Sequence, residues 1–260
     1  MNLNNGNDSL SDIRLLSDLH GTNCSWVVLI ADYDLDGYKD LFVTNGYKRD
    51  YTNMDFMAYA ADLQIKSQQS QSSNEDIIQD LIANMPSITE PNYLFQNNRD
   101  LTFDNVAPDW GLAKPSLSNG SAYADLDNDG DLDLVVNEVN KEASIYRNNA
   151  EQFTKNNYLK IKLKGSKSNT FGIGSKVILF VNDQQITQTL MLSWGYQSAV
   201  EPVLTFGLGT IETVDKIEVK WADGTRQILE NQTANQTINI EYAPDGIDLI
   251  TATDASVFTM

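Results

Sequence analysis

The sequence has one cysteine, Cys24, and one histidine, His20, among its 260 residues. A single thiol excludes an internal disulfide framework, a thiolate zinc site and a CxxC redox pair. A single imidazole excludes a His-rich metal site, and the polar stretch around His20 carries no nucleophile motif of the kind a catalytic triad requires. No apolar run approaches the roughly 20 residues needed to cross a bilayer. The chemistry of this chain has to come from other side chains.

Positive charge is scarce as well. The chain has 18 Lys and Arg against 36 Asp and Glu, which gives a net charge of -18. Nucleic acid binding draws most of its affinity from neutralised phosphates, and anionic membrane surfaces repel an acidic protein in the same way. We therefore expect no nucleic acid partner. The hydrophobic fraction of 41% is enough for a sizeable core, and the length allows one or two domains.

The first 23 residues are polar and contain no apolar segment like the centre of a secretory signal peptide. We expect residues 1–23 to form a polar N-terminal segment ahead of the repeats described next. We also expect no transmembrane segment in this chain.

An internal repeat organises the first half of the chain. Residues 31–43 read ADYDLDGYKDLFV, and residues 124–136 read ADLDNDGDLDLVV. The match continues with LFQNN at 94–98 and IYRNN at 145–149, each followed by a phenylalanine at Phe103 or Phe153. Because the two matched pieces have different offsets, one copy contains an insertion at about 50–91. We therefore predict two repeats within 24–156.

The insertion differs in composition from its surroundings, since Ser and Gln dominate its middle. Apolar residues at helical spacing predict a second helix over 74–85 with Asn74 as its N-cap, and Pro86 stops it. A first helix is expected near 53–65. The insertion is therefore predicted to hold two short helices.

Beyond residue 157 the pattern changes to alternating strands. Residues 158–164 (YLKIKLK) place Leu159, Ile161 and Leu163 on one face and three lysines on a face predicted to be solvated. Six further strands follow, with a hairpin turn at 222–225, and Gly207-Leu208-Gly209 is interpreted as a tight turn. We predict a separate antiparallel, sandwich-like β domain over 157–242, followed by a tail at 243–260.

The acidic loops of the two repeats share the pattern D-x-D-x-D-G-x-x-D. Alternating carboxylates in a tight turn converge, a glycine at the sixth position supplies a positive φ, and the seventh-position carbonyl can then point inward. Hard oxygen donors in this number suit Ca²⁺ better than Mg²⁺, which usually retains several waters. We predict two Ca²⁺ sites, with the seventh residue contributing its carbonyl. Their ligands are Asp32, Asp34, Asp36, Tyr38 and Asp40 in the first loop and Asp125, Asp127, Asp129, Asp131 and Asp133 in the second.

Two alternatives to this interpretation exist. A pair of solvated acidic turns would use the same residue types. An EF-hand would need a Glu at the twelfth position and a helix on each side, but that position is Val43 in one loop and Val136 in the other, within strand-like sequence. The loops are therefore expected to connect the strands of β-hairpins.

These motifs resemble those of a known family. The loop DLDNDGDLDLVVNEVN with IYRNN behind it is similar to FG-GAP/VCBS repeats, and NYLKIKLKG, FGIGSKV, FGLG, VDKIEVKWADGTRQ and ANQTI resemble the ASPIC/UnbV domain in order. Together they resemble the bacterial relatives of cartilage acidic protein. The resemblance implies calcium-binding blades of the β-propeller type. It also implies a parent protein that is exported and extracellular or at the cell surface, associated with the outer membrane.

The expected architecture is mainly β, with incomplete propeller-type blades and a helical insertion followed by the second β domain. A closed propeller of this type needs about seven blades and the chain has two repeats, so we expect it to be part of a longer protein with further blades.

Three functions fit the sequence. The favoured one is a non-enzymatic, calcium-binding surface module that mediates adhesion to a protein or a glycan. The second is a catalytic or non-catalytic part of a polysaccharide-degrading enzyme, which is less favoured because every clustered carboxylate is committed to a loop. The third is a structural spacer in a larger surface protein. Trp110, Trp194, Tyr196 and Trp221 are candidates for stacking on sugar rings.

Overall fold

The structure is a computed structural model that describes residues 2–19, 21–22, 25–69 and 73–244. His20, Cys24 and residues 245–260 of the tail predicted at 243–260 lie outside the described residues. The described chain is mainly β, with 42% strand and 12% helix in several sheets, and none of these sheets closes into a barrel. This composition confirms the predicted fold class. None of the helices in these ranges is long and apolar enough to cross a membrane.

The N-terminal segment begins with a short antiparallel hairpin of β1 (Asn2–Asn4) and β2 (Leu10–Asp12). The strands are polar and mostly exposed, as the composition predicts. Further along, Leu19 packs against Val43, Phe95 and Phe103 of the first blade, so the segment reaches one face of that sheet.

The first blade is a four-stranded antiparallel sheet. In spatial order its strands are β3 (Ser25–Ala31), β4 (Asp40–Asn45), β5 (Tyr93–Asn97) and β6 (Phe103–Asn105). Alternate residues of β3 are buried, because successive side chains of a strand point to opposite faces. The hairpin between β3 and β4 contains the first acidic loop.

The second blade has three antiparallel strands, β7 (Ser118–Ala124), β8 (Asp133–Glu138) and β9 (Ser144–Tyr146). A short helix, α3 (Ala150–Phe153), follows β9 where the first blade has its fourth strand. Phe103 and Phe153 occupy matched positions in the two repeats, yet Phe103 is 4% exposed in β6 and Phe153 is 85% exposed on α3. The repeat therefore changes structure at its end.

The two blades share one hydrophobic core. Val27, Leu29 and Phe42 of the first blade pack with Leu134 and Val136 of the second, and all five are nearly inaccessible to solvent. Burial of such side chains contributes about 1.5–3 kcal/mol each to folding. The blades therefore pack face to face, and their acidic loops lie at corresponding ends.

Both blades have a β-bulge at the same place. The pairing of β3 with β4 shifts register between Ser25 and Val28, and that of β7 with β8 shifts between Ser118 and Ser121. The bulged residues include Trp26 in the first blade and Asn119 in the second, each six positions before the first aspartate of its loop. A bulge redirects side chains locally.

The insertion consists of α1 (Met54–Gln69) and α2 (Asn74–Asn84), placed between β4 and β5. The N-cap of α2 is Ser73, whose Oγ accepts a hydrogen bond from the backbone N–H of Asp76 at 3.2 Å, and not Asn74 as predicted. Either residue type can cap a helix, so composition alone did not distinguish these neighbours. The helix ends before Pro86, as expected.

The base of the insertion is closed by backbone pairing. Tyr47 and Ile88 form an antiparallel bridge in which each N–H donates to the other residue's carbonyl, at 2.9 and 2.8 Å. The Ser87 hydroxyl also donates to the carbonyl of Lys48 at 2.6 Å. The helices therefore leave and rejoin the blade at one point, at the end of β4 that is remote from the acidic loop.

The C-terminal β domain consists of two packed sheets. The first contains β13 (Val203–Gly209), β10 (Asn157–Lys164) and β16 (Gln236–Glu241), and the second contains β12 (Gln184–Thr189), β11 (Lys176–Val181), β14 (Thr213–Lys220) and β15 (Arg226–Thr233). Leu159 and Ile161 of β10, Phe206 of β13, Leu179 of β11 and Ile217 of β14 are fully buried between the sheets. This is the predicted sandwich-like packing.

Two predictions about this sandwich are wrong in detail. β16 pairs with β10 in parallel, not antiparallel, with Ile161 opposite Ile238. The alternating pattern of a strand does not encode its direction, and the chain changes sheets between β15 and β16. Gly207 and Gly209 lie within β13 and do not form a tight turn.

The position of the insertion predicts that it can be removed. Replacing residues 49–86 with a two-residue turn should leave the calcium-dependent rise in melting temperature unchanged, because the Tyr47–Ile88 bridge closes the hairpin without the helices. Thermal melts with and without calcium would measure this, with the Arg49→Ala variant of the full-length chain as a control. Loss of the calcium response would mean that the helices support the loops.

Candidate metal centres

The first acidic loop brings three of its predicted ligands together. Asp32, Asp34 and Asp36 each offer a carboxylate oxygen, and these oxygens lie within 4.8 Å of one another. Asp32 is 2% exposed, and its two oxygens accept hydrogen bonds from the backbone N–H groups of Asp36 (3.0 Å) and Gly37 (2.9 Å). These bonds fold the loop around its first side chain.

The second loop repeats this framework. Asp125 accepts hydrogen bonds from the N–H groups of Asp129 (3.1 Å) and Gly130 (3.0 Å), at the same positions as in the first loop. The oxygens that converge within 4.8 Å here are those of Asp125, Asp127 and Asp133. Asp129 instead belongs to a second group with Asp131 and Glu151, a residue of α3 that the sequence analysis did not identify.

The loop backbones need two left-handed residues each. Gly37 has φ +94° and Gly130 has φ +107°, which agrees with the predicted role of the sixth-position glycine. The fourth position is also left-handed, at Leu35 (φ 60°) and Asn128 (φ 62°). Asn tolerates this conformation, so the left-handed fourth position could be predicted from Asn128. It could not be predicted from Leu35. Leu35 is 1% exposed, and its burial supports the strained backbone.

The ninth-position aspartates connect each loop to its blade. Asp40 accepts hydrogen bonds from the N–H groups of Tyr33 and Asn97, both at 3.0 Å. Asp133 accepts the equivalent bonds from Leu126 and Asn148, both at 2.8 Å. Each carboxylate therefore ties the start of its loop to the chain at the end of the next strand. Asp133 also joins the oxygen cluster of its loop, whereas Asp40 does not belong to the corresponding cluster.

The seventh-position residues differ between the loops. Tyr38 is exposed, its N–H donates to Asp36 Oδ1 at 2.8 Å, and its ring lies 5.0 Å from the guanidinium of Arg99. Asp131 is fully buried, with Oδ2 accepting from the N–H of Ala150 at 2.8 Å. Coordination of a cation by the carbonyls of Tyr38 and Asp131 stays a prediction.

An arginine approaches the open side of each loop. Arg99 contacts Asp36 at 2.7 Å, and Arg147 contacts Asp127 at 2.7 Å and Asp129 at 3.1 Å. Both guanidinium groups are more than half exposed, so solvent screens these pairs and each contributes little to stability. They nevertheless reduce the repulsion among the exposed carboxylates.

Burial strongly raises the pKa values of several loop carboxylates. Burial, with the charge of Asp40 adding to it, raises the pKa of Asp32 to about 8. Burial raises the pKa of Asp40 to about 7, and burial together with Asp129 and Glu151 raises the pKa of Asp131 to about 8. Ionised carboxylates are therefore unfavourable here unless a positive charge accompanies them. The oxygen-only donor set and this electrostatic cost both fit a bound metal ion.

The C-terminal domain lies directly against both loops. The backbone N–H of Gly209 donates to the carbonyl of Leu35 at 2.9 Å, and a Cβ added to Gly207 would lie 2.0 Å from Asp32 Oδ2. In the second loop, a Cβ added to Gly130 would meet the ring of Tyr158 at 2.0 Å. Only glycine permits these approaches. The sheet of β10 and β13 therefore covers both candidate sites.

Lys160 reaches the second loop from the same sheet. Its Nζ lies 2.5 Å from Asp125 Oδ2, and the two side chains are 8% and 1% exposed. The prediction of a solvated lysine stripe on β10 is therefore wrong at Lys160, although Lys162 and Lys164 are exposed. An alternating pattern identifies the face of a strand but not the neighbour that covers it.

Two family models match the chain. Residues 74–136 match the model described as FG-GAP-like repeat, and the matched segment includes the second acidic loop. Residues 165–246 match the model described as ASPIC and UnbV, which includes most of the sandwich.

Three relatives named cartilage acidic protein 1 are similar to this chain. The identity is 33% over 139 residues for Xenopus tropicalis, 28% over 152 residues for Mus musculus and 29% over 153 residues for Homo sapiens. These matches cover 51%, 56% and 56% of this chain but 21%, 23% and 22% of the relatives. The chain thus spans about a fifth of the length of the curated relatives it matches.

The repeated acidic loops agree with the match to the FG-GAP-like repeat model, and the sandwich that covers them agrees with the match to the ASPIC and UnbV model. The chain therefore contains an FG-GAP-like repeat at 74–136 and an ASPIC/UnbV domain at 165–246, and it is similar to cartilage acidic protein 1 over about half of its length.

Proposed function

We propose that this chain is a calcium-binding, non-enzymatic module of an extracellular or cell-surface protein, and that it presents a binding face for a protein or glycan. Two Ca²⁺ ions would occupy the acidic loops, hold their carboxylates in the ionised form and fix the sandwich against the blades. The supporting observation is the burial of Asp32 and Asp125, the first aspartates of the two loops, beneath one sheet of the C-terminal domain.

Calcium is favoured over other cations by the donor set. Each loop offers carboxylate oxygens, and the acidic clusters found among the described residues include neither a nitrogen nor a sulfur donor. Ca²⁺ accepts six to eight oxygen ligands in flexible geometry, whereas Mg²⁺ requires a near-ideal octahedron and retains waters. The extracellular setting is supported by the family matches and by the millimolar calcium available to sites of modest affinity outside cells.

The binding face that we favour lies at the ends of β3 and β7 remote from the acidic loops. Trp26 stacks with Tyr47 at 6.2 Å and meets Tyr196 at 5.1 Å, and Tyr51 continues the row at 6.0 Å from Tyr47. Tyr51 is 60% and Tyr196 is 40% exposed. Clustered, partly exposed tyrosine and tryptophan rings are typical of binding surfaces, because each combines an apolar body with a polar tip.

A groove of ≈ 590 Å³ lies beside Tyr196, and its polar lining is uncharged. Its walls include Asn119, Ser121, Asn137 and Gln197. The Ser121 hydroxyl is buried and has no hydrogen-bond partner among the described residues. Neutral amides and hydroxyls next to an aromatic ring match the hydroxyl-rich, uncharged faces of a glycan. This observation favours a glycan ligand over an acidic or basic peptide.

The calcium proposal predicts a separable thermal response from each loop. Saturating Ca²⁺ at about 100 Kd should stabilise the fold by roughly 2.7 kcal/mol per site, and Mg²⁺ should substitute poorly. Asp129→Ala should remove most of the second loop's response, whereas Asp104→Ala, an exposed carboxylate on β6, should change nothing. Thermal melts and titration calorimetry would measure this. A melting curve indifferent to chelator would contradict calcium binding.

The raised carboxylate pKa values predict an unusual pH dependence. In metal-free protein the pKa is about 8 for Asp32 and about 7 for Asp40, against 3.8 for an ordinary aspartate. Between roughly pH 4 and pH 8 the folded state therefore holds protons that the unfolded chain has released, so the free energy of unfolding falls as pH rises.

The chelator-treated protein should consequently melt at a lower temperature at pH 8 than at pH 5, while the gain from calcium should be larger at pH 8. Melts at four pH values in metal-stripped buffer would measure both effects. Asp32→Asn serves as the control, since it should flatten the dependence. A melting temperature that rises steadily over this range without metal would contradict the assigned burial.

The binding face predicts that Tyr196→Ala weakens glycan binding by roughly tenfold, equivalent to about 1.4 kcal/mol. A glycan array followed by titration of the best ligand would measure the loss. Phe153→Ala, which removes an exposed ring from α3, should have no effect. An array without any binding would favour a structural spacer, and release of products from a polysaccharide would favour an enzyme.

A further inference from the structure

Lys160 differs from the other two lysines of its strand. Lys162 is exposed, and Lys164 pairs with Glu241 at the surface, where the side chains are 72% and 69% exposed. Lys160 is buried against Asp125, with 2.5 Å between Nζ and Oδ2. Burying an ammonium group is costly unless it is paired, so this position has a specific electrostatic role.

The partner of Lys160 is the first residue of the second acidic loop. Asp125 Oδ2 accepts hydrogen bonds from both Lys160 and the backbone N–H of Gly130, while Oδ1 accepts from Asp129. The backbone N–H of Asp125 donates to Glu201 of the C-terminal domain at 3.1 Å. The sandwich therefore contacts Asp125 through both its side chain and its backbone.

The first loop has no equivalent cation from the sandwich among the described residues. The residue that meets Asp32 there is Gly207, which has no side chain. Lys39 belongs to the first loop itself, where burial lowers its pKa although Asp32 and Asp40 oppose this. In the described chain Lys39 makes no ion pair within 4.0 Å. The two joints between loop and sandwich are therefore built differently.

We propose that Lys160 is an internal counter-cation of the second loop. It keeps this loop docked on the sandwich when no metal is bound, and it lowers the affinity of the loop for a divalent cation by opposing the charge of Asp125. The inference rests on the proposed calcium function and assigns Lys160 as a positioning residue of that site. Since the number of charges around a calcium site tunes its affinity, removing one positive charge should tighten binding.

This role predicts opposite effects of one substitution. Lys160→Met leaves the buried Asp125 carboxylate with its backbone hydrogen bonds but without its cationic partner, so the metal-free protein loses stability. The same change makes the second loop more negative, so its calcium affinity rises. A lysine that served packing alone would give the first effect without the second.

Asp36→Ala removes a predicted ligand of the first loop, so that calcium binding by the second loop can be measured on its own. Calcium titration calorimetry would compare this variant alone with the same variant carrying Lys160→Met, Lys160→Arg or Lys162→Met. Lys160→Met should bind calcium roughly tenfold more tightly, because one unit charge close to the ligands is removed. Lys160→Arg should restore the original affinity, and Lys162→Met, which removes an exposed charge from the same strand, should leave it unchanged.

Thermal melts of the same proteins give the second readout. Lys160→Met should melt earlier in chelator and gain more from calcium than its parent. If the parent binds calcium and Lys160→Met binds it equally or more weakly, the inference fails while the calcium function stands. If neither the wild type nor any variant binds calcium, the proposed function fails and the inference with it. If calcium binds only after Lys160→Met, the ammonium of Lys160 neutralises the loop in place of a metal ion, which supports the inference.

A folding defect would also be informative. If Lys160→Met does not fold, Lys160→Gln would replace it, because glutamine keeps a neutral hydrogen-bonding group on a side chain that is one atom shorter than lysine. The inference requires calcium to compensate for the lost ammonium, so failure of both variants to fold at saturating calcium would overturn it. Folding that depends on calcium would support it.

Discussion

Asp32 and Asp125 are buried at the junction of the blades and the sandwich, and the burial of these two carboxylates is the constraint on which the rest of the structure depends. Each folds its own loop by accepting two backbone N–H groups, and each also meets the C-terminal domain. A buried carboxylate near like charges is unfavourable unless protons or cations compensate it. The loops, the covering sheet and the nearby basic residues are arranged around this requirement.

The sheet of β10 and β13 contacts the two acidic loops through different groups. Over the first loop it presents glycine backbone, which lets the loop approach closely and adds a hydrogen bond from Gly209 to Leu35. Over the second it presents the ring of Tyr158 and the ammonium of Lys160. The glycine-rich FGLG segment therefore has a physical explanation in contact between domains, because any larger residue at Gly207 would displace Asp32.

Much of this architecture could be predicted from the sequence, because the patterns involved are local. The repeat of nine-position loops, the positive φ of Gly37 and Gly130 and the alternation of β10 follow from neighbouring residues. What could not be predicted depends on distant contacts. Burial of Lys160 requires knowing that β10 covers the second loop, the parallel pairing of β16 requires knowing where the chain changes sheets, and Glu151 is distant from the loop motif in sequence. Strand patterns contain none of this information.

Each hairpin has its acidic loop at one end and a β-bulge near the other end, at Trp26 in the first blade and at Asn119 in the second. One end keeps the same acidic loop in both blades, while the bulge at the other end bears an indole in one copy and an amide in its duplicate. The bulge positions lie six residues from the loops, so their side chains can change without altering the metal ligands. Side chains at one end of each hairpin can therefore differ between the two repeats while the acidic loop at the other end stays the same. The same separation makes positions Trp26 and Asn119, but not the core residue Val27 in the same bulge, suitable for randomisation in a designed binding library.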